Sequence, residues 1–268
     1  MTMREELHIW LSLVGLSLKS GLEYRAAFFV QMLAMILNYA AMYAEIWIIT
    51  ERFNSLGGWS WQELTVLLAF QLFSYALGAA FSMGQFRELG ALVRTGDFDL
   101  ILTRPVNSCA FLIFSGVNVN YAGHFVLAIS LMIWALLQPE IPVSVPSILY
   151  LFCAAISGAL VVVSIFIILG ALALNLIDGN FLTNIFFSFW HMTRYPLNIF
   201  PHYIQFTLTA IVPMAFFSYI PVAVFIGKPI FLLGDAAPII SILAGPALML
   251  GSLTIWSFCL RRYQSAGG

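Results

Sequence analysis

The chain has 268 residues, of which 62% are hydrophobic and only 9% charged, against about half and about a quarter in an ordinary soluble domain. So few charges exclude a water-facing globular surface, and a net charge of −1 offers no basic field to a nucleic acid. A single all-α membrane domain over residues 1–268, with no separate soluble unit, is predicted.

In chain order, Met1 to Ser20 carries Glu5, Glu6 and His8 where a cleavable signal would carry basic residues, and no small-x-small site follows, so it is expected to stay on the mature chain. Over residues 3–20 the period is helical. Glu5, His8, Ser12, Gly15 and Lys19 share one stripe and Leu7, Trp10, Leu11, Val14 and Leu18 the opposite one, which suits an elbow helix lying along the membrane interface.

A span needs about 20 apolar residues. The apolar runs predict six, over about residues 26–50, 61–83, 117–137, 147–174, 181–198 and 238–260. Between the last two, Pro196, Pro201, Pro213, Pro221 and Pro229 fall too close together for one straight helix. Residues 199–230 are read as short re-entrant helices, with a single kinked fifth span reaching Ile226 as the rival. Lysine and arginine asymmetry sets the orientation: Arg4, Lys19, Arg25, Arg87, Arg94, Arg104, Arg261 and Arg262 fall on the cytoplasmic side if the amino terminus is inside, which puts both termini there. Cys109, Cys153 and Cys259 are far apart and lie in or beside apolar stretches, so they read as small hydrophobes rather than a metal or redox set.

The segment 85–105 is the most informative. It concentrates Arg87, Glu88, Arg94, Asp97, Asp99 and Arg104 in an otherwise charge-poor chain. A short amphipathic helix is expected from Phe86 to Val93, then a stop and turn at Thr95-Gly96-Asp97. Beyond it Phe98, Leu100 and Leu102 alternate with Asp99, Ile101 and Thr103 up to Arg104-Pro105. Such patterning suits a docking surface for a cytosolic partner better than a free charged loop.

The glycine-aspartate turn and the run Leu102-Thr103-Arg104-Pro105-Val106 resemble the permease subunits of type-2 ATP-binding-cassette exporters, in particular the small six-span bacterial permeases encoded beside a separate ATPase. Tyr24-Arg25-Ala26, Gly58-Trp59-Ser60, Tyr195-Pro196, Phe200-Pro201 and Ile211-Val212-Pro213 match as well, so the likeness runs almost the full length. The resemblance implies an amino-terminal elbow, a coupling segment that inserts into the ATPase, external re-entrant helices and alternating access between two permeases. It also implies a bacterial inner-membrane location. This chain has no GxxxxGK[ST] phosphate cradle, since Gly227-Lys228 runs into Pro229, so ATP and Mg are expected on the partner ATPase and no cofactor on this chain. Asp178, in the turn Asp178-Gly179-Asn180, is a second coupling candidate.

Ala76, Ala80 and Gly84, and likewise Ser74, Gly78 and Ser82, recur every four residues and offer close-packing faces, within the chain or against a second permease, identical or related. Polar and aromatic groups inside the spans are the substrate candidates: Asn38, Tyr39, Tyr43, Glu45, Gln71, Tyr75 and Trp190. Glu45 has a second reading, a structural pair with Arg52 or Arg194 near the outer interface. His124 and His191 read as packing residues. The substrate expected is amphipathic, drug-like or lipid-like. The rivals are an intramembrane enzyme acting on lipids through Glu45, His124 or His191, and an ion-coupled carrier or channel, which would show repeated half-domains that are not found.

Overall fold

The structure, a computed structural model, describes residues 3–23, 25–175, 180–230 and 233–265. Most of the described residues are helical, with one isolated bridge between Leu56 and Trp59 at a turn. The helices are α1 (Met3–Glu23), α2 (Arg25–Phe53), α3 (Trp61–Thr95), α4 (Asp97–Leu102), α5 (Ser108–Ser115) and α6 (Ala122–Leu136). Then come α7 (Val145–Ala173), α8 (Asn180–Met192), α9 (His202–Phe206), α10 (Tyr219–Phe225) and α11 (Ala237–Arg261). Among the described residues, five stretches are long and apolar enough to cross a membrane: Phe28–Phe53, Trp61–Thr95, Val119–Leu136, Val145–Ala173 and Gly234–Arg261. The fifth expected span, 181–198, stops short. Its helix α8 has 13 residues and a length of about 20 Å, against about 30 Å of hydrocarbon.

The centre of the fold is α3, with α7 on one side and α6 on another. Ser60 starts α3 with a reciprocal cap: its hydroxyl accepts from the Glu63 amide at 3.3 Å, and its own amide donates to Glu63 Oε2 at 2.8 Å. The helix then runs 35 residues, about 52 Å, far beyond a bilayer core. The expected break near residue 83 is absent, and the separate helix predicted for Phe86–Val93 is the far end of α3 itself. Polar residues there left the apolar run without breaking the helix, because Glu, Leu, Ala and Arg are all good helix formers. Gly96, at φ +78°, ends it, returning its amide to the Val93 carbonyl at 3.2 Å. Residues 97–102, expected to alternate, form the short helix α4 instead.

The Ser74–Gly78 edge of α3 seats on Gly158 and Ala159 of α7, so that small-residue face packs within the chain. Along α7 and α11 the contacts advance together: Tyr150 meets Ser241, Ser157 meets Ser241 and Gly245, Ser164 meets Met249, and Asn175 meets Cys259. These two helices are therefore parallel, and the chain between them returns from the end holding the Gly96 turn to the end holding the turn at residues 54–60. It does so through α8, then breaks at the prolines into one-turn pieces, including a wide π turn over Thr207–Ile211. The expected region of short broken helices over 199–230 is present, and no helix continues unbroken to Ile226. The amino-terminal helix α1 packs on α5, with Trp10 against Phe114 at 5.2 Å and Ser17 donating to the Ser115 carbonyl at 2.8 Å.

Candidate functional site

One long face of α3 is left uncovered by α7, and a cavity of about 1040 Å³ lies against it. One end of it is aromatic. Tyr75 packs at 5.2 Å from Trp190 and 6.0 Å from Tyr121, and His124 lies 5.3 Å from Tyr39 and 5.0 Å from Tyr121. The indole N–H of Trp190 and Nδ1 of His124 are buried there without a hydrogen-bond partner among the described residues. Amides from Gln31, Asn38, Asn118 and Asn120 line the walls, and Arg87, Glu88 and Arg94 line the other end. From Tyr75 to Arg94 the cavity follows α3 for about 28 Å. Its chemistry grades from neutral aromatic to charged.

Four of the seven predicted substrate residues, Asn38, Tyr39, Tyr75 and Trp190, line this cavity. Tyr43 and Gln71 lie behind it and serve packing: Tyr43 shares a 3.0 Å hydrogen bond with Thr65 and stacks on Trp61 at 4.3 Å. Gln71 is 3% exposed and donates to Thr193 Oγ1 at 2.6 Å, tying α3 to the end of α8. Replacing Gln71 by alanine removes this buried bond, and a loss of about 2 kcal/mol is expected as a lower thermal midpoint in detergent; an unchanged midpoint would refute the tie.

Glu45 is the clearest correction among the cavity candidates. Seven residues beyond Asn38, about 10 Å along α2, its carboxylate accepts from Tyr195 Oη at 2.8 Å and pairs with Arg194 at 3.6 Å, outside the cavity. That is the structural pairing weighed for it. At the same end, Lys228 bonds Glu63 at 3.0 Å and the Gly58 carbonyl at 2.7 Å, and Asn198 donates to the Gly57 carbonyl at 2.7 Å. Trp59, 1% exposed, stacks on Tyr219 at 5.5 Å. The Gly58-Trp59-Ser60 motif is thus the hub to which the broken helices are fastened.

The expected coupling residues separate into three groups. Arg87, Glu88 and Arg94 face the cavity. Asp97 is exposed beside the Gly96 turn, accepting from Thr95 Oγ1 at 2.6 Å, and Arg104 is exposed with its guanidinium 4.4 Å above the Phe111 ring. Asp99 turns inward, accepting from Tyr263 Oη at 3.0 Å and from the Ser265 hydroxyl. Asp178 lies outside the described residues. Sequence reasoning missed Gln31, Met83, Asn118, Asn120 and Tyr121 as wall residues and took His124 and His191 for packing, although both line the cavity. The available signal was the spacing Gly84, Arg87, Ala91, Arg94, one stripe of a helix.

A protein-family model described as ABC-2 family transporter protein matches residues 36–267. No individual characterised protein matches the chain at a significant level.

Proposed function

Since the chain belongs to the ABC-2 family of transporter membrane proteins, we propose that it is the permease subunit of an ATP-driven exporter, with its motor on a separate ATPase. The observation that carries the reading is the cavity against α3, which starts among Tyr75 and Trp190 and ends at Arg94, two residues before the Gly96 turn. The substrate path and the motor contact then share one rigid helix. A shift of the turn would reach the cavity directly, and two permeases face to face would enclose it and alternate its access.

In this reading the chain crosses a bacterial inner membrane six times, α8 and the residues after it making the short fifth crossing, and both termini are cytoplasmic. The parallel packing of α7 with α11 supports that count. The amino-terminal helix serves as the interfacial elbow. The exposed residues Asp97, Leu100 and Arg104 form the ATPase-facing surface, and ATP and Mg belong to the ATPase. The substrate is amphipathic, its flat apolar part among the aromatic rings and its polar part at Arg87, Glu88 and Arg94. The lipid-enzyme alternative draws no support from the geometry, since Glu45 is held outside the cavity that His124 and His191 line.

Gly84 gives the test. It lines the cavity, and a Cβ built there meets nothing within 4 Å. Gly84→Trp is expected to obstruct the cavity midway, leave stability within about 0.5 kcal/mol, keep the ATPase bound, and sharply reduce ATP-dependent movement of a panel of fluorescent amphiphiles into proteoliposomes. Transport at the unsubstituted rate would remove the cavity from the path.

A further inference from the structure

The helix at the motor-facing turn, α4, is anchored to the last long helix and the residues after it through two adjacent side chains. Phe98 is fully buried, with its ring edge-on to Trp256 at 6.3 Å and to Tyr263 at 5.2 Å. Trp256, 3% exposed, meets Phe86 of α3 edge-on at 5.6 Å, so Phe98 fills a socket whose floor is α11. The next residue adds directional bonds: both carboxylate oxygens of Asp99 accept hydroxyls from the segment after α11, Oδ1 from Tyr263 and Oδ2 from Ser265. Burial, together with the hydrogen bond to Asp99 and its charge, raises the Tyr263 phenol above its usual range, so it remains a donor. Toward α3, α4 packs against the helix end and is joined to it through the left-handed residue Gly96.

Resting on the permease reading above, we propose that α4 delivers the ATPase's displacement to α11, through the Phe98 socket and the Asp99 clasp, and that Asp99 is a positioning residue rather than an ATPase contact. The two faces of α4 divide the work. Asp97 and Leu100, the latter 64% exposed, face outward, while Phe98 and Asp99 face α11. From α11 the displacement has a rigid continuation, because α7 runs parallel and is bonded to it from Tyr150–Ser241 to Asn175–Cys259. The pair would move as one body with α3, on which α7 is seated, and carry that wall of the cavity with it.

The test uses the permease assembled with its ATPase in lipid nanodiscs, comparing hydrogen exchange over residues 249–261 with and without ATP, and ATPase retention on purification. The variants are Tyr263→Phe, which keeps the ring in the Phe98 stack, and the double variant Tyr263→Phe with Ser265→Ala. The double variant is expected to retain the ATPase and its basal hydrolysis while the ATP-dependent change in α11 falls about tenfold, the single variant falling between. An unchanged ATP response in α11, or loss of the ATPase from the double variant, overturns the clasp. A wild-type complex that holds its ATPase but shows no ATP response in α11 overturns it while leaving the permease reading intact. A wild-type permease that holds no ATPase takes down both.

Discussion

Gly245→Ala is expected to lower the stability of the permease by about 3 kcal/mol, near the upper end for a single added methyl. A Cβ at this position would land on the Ser157 carbonyl and the Ser157 Cα, which are main-chain atoms of α7 and cannot turn aside as a side chain can. The crossing is also bonded. The Gly245 amide donates to Ser157 Oγ at 3.0 Å, and that hydroxyl donates to the Ser241 carbonyl at 2.7 Å, with Ser157 and Ser241 both buried. Forcing α7 and α11 apart strains these bonds and opens the longest contact of the fold. Without a hydrophobic drive between helices in lipid, close approach of small residues is the main source of association. Gly251→Ala is the control on the same helix, where a Cβ meets nothing within 4 Å. Thermal unfolding followed by size exclusion in detergent should separate the two variants widely. Equal midpoints would mean that the α7 and α11 contact does not hold the fold.

The second large effect is functional. Gly96→Val is expected to reduce ATP-dependent transport by about tenfold or more while the membrane fold stays assembled. Gly96 sits at φ +78°, a conformation costing an ordinary L-residue roughly 1–2 kcal/mol and a β-branched one more. Nothing lies within 4 Å of a Cβ built there, so the substitution acts on the backbone turn and not on packing. With valine, α3 would run on or the turn would change hand, and α4 would leave both the Phe98 socket and its docking position. Asparagine tolerates the left-handed region, so Gly96→Asn is expected to keep most of the transport. Coupled ATPase activity and transport in proteoliposomes read the difference, and an active Gly96→Val permease would show that the turn geometry is immaterial.

The spans were legible wherever an apolar run of bilayer length ended in polar residues, as for α2, α6, α7 and α11. For α3 the rule found the apolar part and misplaced the helix end, since hydropathy falls at Gln85 while the backbone stays helical until Gly96. The reading of 181–198 erred the other way: apolar, aromatic residues continue past Met192, but Pro196 and Pro201 stop the helix. The turn at Gly96 was found because glycine before an N-terminal aspartate is a local signal. The bonds of Asp99 were not legible, because charge in a short loop says nothing of direction and its partners Tyr263 and Ser265 lie more than 160 positions away. In the cavity, Asn38, Tyr39, Tyr75 and Trp190 could be picked out as polar or aromatic groups within spans, whereas Asn118 and Asn120 fell in the run 117–137 expected as one span and precede α6 in the structure.

The central claim is that this chain moves its substrate only when a separate ATPase drives it through the Gly96 turn. The direct measurement is uptake of fluorescent amphiphiles into proteoliposomes holding the permease alone, the permease with its ATPase, and the pair carrying Asp97→Lys with Arg104→Glu on the exposed docking face. The account predicts ATP-dependent uptake only for the unmodified pair, with the ATPase lost from the charge-reversed one. Transport by the permease alone, or equal ATP-dependent transport by both pairs, would contradict it.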